Sequence, residues 1–282
     1  MKQVLQKSAN RFQKKGKRHK GILDPINAAR QFQLSRYLPS ADLVPFVEHH
    51  WTIHWDLRGQ PPYISEVLPH SSVNFAFTVD RAWITGVTTG MYQYEVKDVG
   101  VIVGTMFKPG GFHPFWLKSI STLTDKVVDV AEAFPEVDEE FRHALLGLND
   151  DESMVARVEE LLLAKKPMLD QNIELINSIL ETVKTDIDMR TVEAVVERFH
   201  VSGRTLQYLF QKYVGVGLKW VLMRYRLLEA VEIAAHLQEP NWASVAADLG
   251  YSHQSHFVND FKKLVGKSPL QYSQSIRVQE NK

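Results

Sequence analysis

The C-terminal third of the chain contains the same pattern twice. It reads VVERFHVS at residues 195–202 and VAADLGYS at residues 245–252, an offset of fifty. One additional residue in the second copy then changes the offset to fifty-one, and the matched pairs are Leu206 with Phe257, Phe210 with Phe261, Lys212 with Lys263, Val214 with Val265 and Gly215 with Gly266. Self-similarity at such a period is typical of a repeated supersecondary unit. Each copy is predicted to form a helix, a tight turn and a second helix.

The residues at the two turns fit this interpretation. In the second copy, Ala246 lets two helices approach closely and Gly250 supplies a positive φ. The first copy has Val196 and His200 at these places, and histidine is one of the non-glycine residues enriched in the left-handed region. Ser202 and Ser252 are predicted to cap the second helix of their copies.

The second helix of each copy leaves polar side chains outside its apolar stripe. In the major groove, arginine can form a bidentate contact with guanine and glutamine can form one with adenine, while lysines contact phosphates. Either face taken alone is more typical of an ordinary solvated helix. The duplication, the spacing and the caps together favour DNA binding, by Arg204, Gln207, Tyr208, Gln211 and Lys212 in the first copy and by Gln254, Ser255, His256, Asn259, Lys262 and Lys263 in the second.

Between the copies, residues 218–237 have helical periodicity and contain no Gly or Pro. About twenty residues at a rise of 1.5 Å each give a rod of roughly 30 Å, and one turn of B-DNA is about 34 Å. A helix of this length would hold two reading helices in successive major grooves on one side of the duplex.

These residues resemble the DNA-binding module of the AraC (arabinose-regulator) family of bacterial transcription factors. The resemblance covers residues 186–275 and is clearest in LGYSHQSHF at 249–257, FKK at 261–263 and GKSPLQY at 266–272. It implies that Arg204, Gln207 and Tyr208 read bases from the first helix, and Gln254, Ser255 and Asn259 from the second. One departure is Gly217-Leu218, where the family usually has a small polar residue and proline.

Composition and charge set further limits. The 282 residues include 44% hydrophobic and 23% charged residues, which are the proportions of a soluble globular protein long enough for two domains. No apolar run reaches 18 residues, so no membrane span is expected. The absence of cysteine excludes disulfides, thiolate metal sites and cysteine nucleophiles, and so excludes methyl-accepting repair proteins that carry an AraC-like module.

The net charge of zero is unevenly distributed. Residues 1–20 carry eight basic residues and no acidic one, which predicts a disordered basic arm, whether a solvated tail or a contact to DNA phosphates. Residues 21–170 carry 12 basic and 21 acidic residues, and residues 198–226, which span the first reading helix, carry six basic and no acidic ones. Because local charge governs phosphate contact, a neutral total is compatible with DNA binding.

The N-terminal half shows the period-two pattern of strands. It is clearest at residues 47–57 and 73–79, with further strands predicted at 83–88, 92–96 and 99–107, a loop at 109–114 and helices at 123–133 and 138–148. Many short strands with glycine punctuation indicate a small barrel or sandwich. VLPH at 67–70 and KPGGFHPF at 108–115 resemble an uncharacterised class of cupin-like sensor domains, which implies effector sensing without naming the effector. The predicted fold class is α+β, with a small cupin-like β-barrel before an all-α double helix–turn–helix module.

Two kinds of site are considered in this half. Seven aromatic residues are candidates for an apolar ligand pocket or for plain core packing: Trp51, Trp55, Phe75, Phe77, Trp83, Phe107 and Trp116. His49, His50, His54, His70 and His113 would be ligands if the barrel were a metal-dependent enzyme tethered to a DNA-binding module, which is the alternative function. Their spacing does not fit a metal-binding cupin, so no metal, cofactor or catalytic residue is expected.

Two amphipathic helices, predicted at residues 155–165 and 173–183, lie between the two halves. They are expected to pair with a second copy as a homodimer or to pack on their own domains. The predicted organisation is a basic arm at 1–20, a β-rich sensor at 21–150, a helical linker at 151–185 and a DNA-binding domain at 186–282. The expected function is a bacterial, cytoplasmic, sequence-specific transcription regulator. Its expected partners are double-stranded DNA, RNA polymerase and a small-molecule or protein effector, with no membrane.

Overall fold

Antiparallel strands form the N-terminal half in a computed structural model that describes residues 22–236 and 240–280. The predicted basic arm at 1–20 lies outside the described residues. A short helix, α1 (Pro25–Gln31), precedes the strands β1 (Gln33–Tyr37), β2 (Val47–Asp56), β3 (Tyr63–Val67), β4 (Asn74–Phe77), β5 (Ala82–Thr85), β6 (Tyr92–Val96), β7 (Val99–Phe107) and β8 (Val127–Asp129). They pair as one sheet in the order β1-β2-β7-β4-β5-β8 and a separate two-stranded sheet of β3 and β6. The predicted α+β class is confirmed, and within the described residues the barrel takes the form of two sheets.

The two faces of the larger sheet have different surroundings, as the period-two pattern requires. Along β2, Trp51 and Trp55 lie on the face that packs with Tyr94 of the small sheet. His50 and Thr52 point to the opposite face and are fully buried. That second face packs on the linker helix formed by Asp151–Ala164.

The segment after β7 differs from the sequence prediction. It contains a short helix α2 (His113–Trp116) and two 3₁₀ turns, Ile120–Leu123 and Val130–Glu132, on either side of β8. The helix predicted at residues 123–133 is therefore wrong. Val128 and Val130 point towards the core, and β8 pairs with Trp83–Thr85 of β5. This apolar segment, which the sequence predicted to be helical, is therefore an edge strand of the sheet.

The following helix, α3 (Glu139–Leu146), was predicted correctly together with its cap. The Asp138 carboxylate accepts a hydrogen bond from the Phe141 amide at 2.8 Å. This contact satisfies one of the amides that the first helical turn leaves unpaired.

The two linker helices are α4 (Asp151–Ala164) and α5 (Gln171–Thr185), each one turn or less from its predicted bounds. Their apolar sides are buried in the chain's own core, with Val155, Val158, Ile173, Ile176 and Ile179 fully inaccessible. Of the two possibilities raised by the sequence, packing on their own chain is the one observed. The suggested homodimer contact through these faces is therefore wrong, because the faces are already covered.

The described residues after the linker form six helices: α6 (Val192–Phe199), α7 (Gly203–Leu209) continued by a π-helical turn (Phe210–Val214), α8 (Leu218–His236), α9 (Trp242–Asp248), α10 (Gln254–Val265) and α11 (Pro269–Glu280). The connecting helix starts at Leu218 as predicted. The first copy belongs to a core cluster shared with the sheet and the linker, whereas Leu227, Phe257 and Phe261 centre a second cluster. The two copies thus have separate hydrophobic cores.

Candidate nucleic-acid interface

The first copy forms its turn with the residues that the sequence singled out. Helix α6 ends at Phe199, and His200, its C-cap residue, adopts the left-handed conformation with φ of 53°. The Ser202 hydroxyl accepts a hydrogen bond from the Thr205 amide at 3.2 Å and caps α7. Both local predictions are confirmed.

The reading helix of this copy, α7 with its π-helical extension, buries one side and exposes the other. Leu206, Leu209 and Phe210 are buried, whereas Arg204, Gln207 and Tyr208 are exposed, Tyr208 by 60% of its surface. Gln211 and Lys212, near the end of the helix, are half-buried. The Gln211 carbonyl accepts a hydrogen bond from Ser119, so this end of the helix lies against the N-terminal half.

The second copy forms its turn through Gly250, which has a φ of 78°. Its reading helix α10 begins at Gln254, and the N-cap position falls on His253, whose side chain makes no capping bond. The predicted cap by Ser252 is therefore wrong. The extra residue of this copy lies between the serine and the helix, and it moves the start of α10 one position away from Ser252.

The outward face of α10 is open. Phe257, Phe261 and Leu264 are buried beneath it. The exposed residues are those predicted to contact DNA: Gln254, Ser255, His256, Asn259, Lys262 and Lys263. Each reading helix therefore exposes a polar face, and the repeat relates Arg204 to Ser255, Tyr208 to Asn259, Gln211 to Lys262 and Lys212 to Lys263.

Contacts within the C-terminal half fix one copy relative to the other. Arg190, just before α6, donates to the Asp248 carbonyl at the end of α9 at 2.8 Å. The same guanidinium forms an ion pair of 2.7 Å with Glu229 of the connecting helix. A planar guanidinium with two acceptors has a fixed orientation, which favours a defined spacing between the copies.

The N-terminal half holds both reading helices at equivalent glycines. Gly215 and Gly266 follow the two helices, with φ of 99° and 80°. A Cβ at Gly215 would lie 3.0 Å from the Thr124 hydroxyl and 3.1 Å from Ile120 Cγ2, and at Gly266 it would lie 3.3 Å from Met91 Cε. The sequence placed these glycines in register but gave no signal of what they touch.

Two further contacts join the halves. Arg224, on the connecting helix, donates through Nε to the Pro69 carbonyl at 2.6 Å, and burial lowers the pKa of its guanidinium to about 10. His70, beside it, is half-buried, and desolvation together with the Arg224 charge lowers the pKa of its imidazole to about 4. At the first copy, the rings of His113 and Tyr213 stack with centroids 4.1 Å apart.

The seven aromatic residues predicted to line one pocket are divided by the sheet. Phe75, Phe77, Phe107 and Trp116 belong to the main core, while Trp51, Trp55 and Trp83 pack on the other face. The prediction of a single pocket is therefore wrong, because β4, β7 and β2 each send alternate side chains to opposite sides. Gly100 and Gly104 sit beneath the Trp55 and Trp51 rings, where a Cβ would come within 2.4 Å and 2.3 Å of ring carbons.

The histidines considered as metal ligands have separate partners. His50 is inaccessible and lies 2.8 Å from the Thr105 hydroxyl and 3.3 Å from Glu159, and His54 lies 2.6 Å from Asp151. Burial raises the pKa of both carboxyl groups, but hydrogen bonds outweigh it and lower the pKa, from Tyr37, Thr52 and His54 for Asp151 and from His50 and Ser40 for Glu159. Within residues 22–236 and 240–280, no three His, Asp or Glu side chains are grouped as a metal site would need.

Comparisons with known proteins agree with this division of the chain. Residues 195–275 match the family described as "Helix-turn-helix domain", and residues 35–129 match "Domain of unknown function (DUF6597)". Among curated relatives, the regulatory protein PocR of Salmonella typhimurium is 33% identical over 91 residues, 32% of this chain and 29% of PocR. The transcriptional activator RhaS of Escherichia coli is 30% identical over 132 residues, 44% of this chain and 47% of RhaS. The chain thus spans less than half the length of these relatives.

The solved structures that match the chain include ToxT of Vibrio cholerae, at 12% identity and a TM-score of 0.38, with coverage of 88% of this chain and 98% of ToxT. The C-terminal domain of AraT, a response regulator of Geobacillus stearothermophilus, is 24% identical with a TM-score of 0.34, and the match covers 38% of this chain and 88% of that domain.

Residues 195–275 thus form a module of the helix–turn–helix class, defined by its two turns, the exposed second helix of each copy and the matching family. It is a helix–turn–helix module of the AraC type, as its sequence predicted, and it follows a β-sheet domain of unknown function. None of the helices in the described part of the chain is both long and apolar enough to cross a bilayer.

Proposed function

We propose that this protein is a sequence-specific DNA-binding transcription regulator of bacteria, whose N-terminal domain senses an effector. The observation that carries the proposal is the pair of exposed reading faces, on α7 and α10, at positions related by the repeat. The connecting helix Leu218–His236, of roughly 28 Å at 1.5 Å per residue, supports a separation close to one turn of B-DNA.

The exposed side chains divide into two roles. Arg204, Gln207 and Tyr208 on the first face, and Gln254, Ser255, His256 and Asn259 on the second, supply the donors and acceptors that read base edges. Lys262 and Lys263, at the end of α10, contact phosphates. Lys212 and Gln211 belong to the flank of the first reading helix that lies nearest the N-terminal half, and they contribute less to the contact with DNA.

Each domain is assigned one role. Residues 21–150 form the sensor, residues 151–185 link it to the reader, and residues 186–282 bind DNA. The function requires RNA polymerase as a partner and the bacterial cytoplasm as its compartment, because promoter DNA is there.

Coupling between the halves follows from the contacts at Gly215 and Gly266. The N-terminal half and the reading helices can adopt more than one relative arrangement. An effector that binds the sensor more tightly in one of these arrangements increases the population of that arrangement. The contacts at Gly215 and Gly266 differ between the two arrangements, so the positions of the reading helices change with the population. Effector binding to the sensor and DNA binding to the reading helices are therefore thermodynamically linked.

The proposal is tested by selecting bound DNA from a random library with the full chain. A defined site is expected, bound roughly 10³-fold or more tightly than random DNA at the same salt concentration. Recovery of no enriched sequence, or equal affinity for selected and random DNA, would contradict the proposal.

A further inference from the structure

An open cleft of about 370 Å³ lies where the N-terminal half meets the first copy. One side is formed by Ser121 and Thr124 of the turn after α2, and the other by Gln211, Gly215, Val216, Gly217 and Trp220. The Thr124 hydroxyl joins the two sides by donating to the Gly215 carbonyl at 2.7 Å. The volume is within the range of sites that hold small ligands.

The chemistry of the cleft is neutral. None of the seven lining residues carries a charge, so a charged ligand would find no counter-ion among them. Among the described residues, the Gln211 side-chain amide has no hydrogen-bond partner, so its donor and acceptor are both available. Trp220, which is partly exposed, supplies an apolar surface nearby.

A ligand in this cleft would contact the parts of the protein whose relative position governs DNA reading. Gly215 caps the first reading helix, and Trp220 lies in the first turn of the connecting helix. A Cβ at Gly217 would lie 2.9 Å from the side-chain oxygen of Gln207, one of the predicted base-reading residues. The cleft is thus adjacent to both the sensor contact and the reading face.

We propose that this cleft binds a neutral small molecule with a flat apolar ring and a carboxamide-like edge, and that its binding adjusts the first reading helix. A carboxamide matches the free Gln211 amide, because each supplies one donor and one acceptor, while the ring packs against Trp220. The inference rests on the proposed function for its regulatory meaning, but the binding site is testable by itself.

Benzamide, benzoate and benzamidinium serve as probes of nearly equal shape and different charge. Binding to the full chain is measured by ligand-observed NMR, and an affinity on the order of 1 mM is expected for benzamide, as for a small fragment. Benzoate and benzamidinium are expected to bind at least about fivefold more weakly, since neither charge is compensated.

Three variants locate the binding. Ser121→Trp fills the cleft from an exposed position and is expected to weaken benzamide binding about tenfold or more, whereas Ser178→Trp, on the exposed side of α5, leaves it unchanged. Gln211→Glu is expected to reverse the preference in favour of benzamidinium. Absence of benzamide binding, equal binding of the charged probes, or an unchanged affinity in Ser121→Trp would overturn the proposal.

The DNA measurements separate this inference from the proposed function. If the selected DNA site binds normally but benzamide does not bind, the cleft proposal fails and the regulator remains. If benzamide binds as expected but no DNA site can be selected, the proposed function fails instead. If benzamide binds and a DNA site is selected, saturating benzamide is expected to change the affinity of the protein for the selected site by about fivefold or more.

Discussion

The two helix–turn–helix copies have the same plan and different attachments. The first copy packs into a core that it shares with the sheet and the linker helices, and its reading helix ends in a π-helical turn against residues 119–124. The second copy has its own core around Phe257 and Phe261, with Leu23, Leu68 and Met91 as its neighbours from the N-terminal half. This difference indicates that a change in the sensor reaches the first reading helix more directly than the second.

The largest effect on stability is expected from equivalent substitutions at the two capping glycines, which test whether the N-terminal half packs more closely on the first copy than on the second. Gly215→Ala places a Cβ against Thr124 and Ile120 at a positive φ, and is expected to lower the free energy of unfolding by roughly 3 kcal/mol. Gly266→Ala meets only the flexible end of Met91, so roughly 1 kcal/mol is expected. Urea denaturation measures both, and equal losses would show that the N-terminal half holds the two copies alike.

Acid is expected to weaken the contact between the sensor and the connecting helix. The pKa of His70 is lowered from 6.5 to about 4 in the folded state, so the unfolded chain binds more protons between these values. The contribution of His70 to the free energy of unfolding is therefore fully present above about pH 6.5. It falls as the pH is lowered towards 4, by roughly 3 kcal/mol at 1.36 kcal/mol per pKa unit.

The His70→Gln variant is expected to lose this part of the pH dependence of the free energy of unfolding, measured by urea denaturation between pH 4 and 7. His113, whose pKa is also lowered, adds a smaller contribution of the same sign. An unchanged slope in the variant would place the titrating group elsewhere.

Alanine substitutions on the two reading faces identify which base pairs of the DNA site each helix–turn–helix copy contacts. Arg204→Ala and Gln254→Ala are each expected to cost about 1–3 kcal/mol of binding to the selected site and to relax specificity at different base pairs, with random DNA unaffected. Lys262→Ala serves as the matched control, because loss of a phosphate contact weakens all sequences alike and lowers the salt dependence. Competition binding at two salt concentrations measures each effect, and equal losses on both DNAs for Arg204→Ala would make it a phosphate contact.

The smallest effect is expected at the two turns. His200→Gly removes a side chain from the left-handed region at an exposed position, and is expected to stabilise the protein by about 0.5 kcal/mol after the entropy of glycine is counted. Gly250→Ala, its counterpart, is expected to destabilise by about 1 kcal/mol. Thermal unfolding of both variants checks the opposite signs, and destabilisation by His200→Gly would mean that the imidazole stabilises the turn.

The sequence predicted local features better than contacts between distant segments. The left-handed His200, the Ser202 cap, the start of α8 and the exposed reading faces all follow from periodicity and turn chemistry within a few residues. The helix predicted at 123–133 failed because pairing with β5, a distant strand, decides the conformation of Val127–Asp129. The single aromatic pocket failed because it required knowledge of how β2, β4 and β7 align.

Residues that join the two halves gave no signal of their role in the sequence. Arg224 and Pro69 are 155 positions apart, and nothing in either segment indicates the other. In the sequence, Gly215 and Gly266 appeared only as matched members of a repeat. In the folded chain, each packs closely against residues of the N-terminal half. Such contacts depend on the tertiary arrangement, which periodicity does not encode.

The dependence of binding on the spacing of the two half-sites tests the central claim most directly. Binding of the full chain is measured on the selected site and on versions with one to ten additional base pairs at its centre. Two reading helices fixed about one duplex turn apart predict that five added base pairs, which rotate one half-site to the opposite side of the duplex, lower the affinity about 100-fold or more. Affinity that does not depend on the spacing would contradict the account.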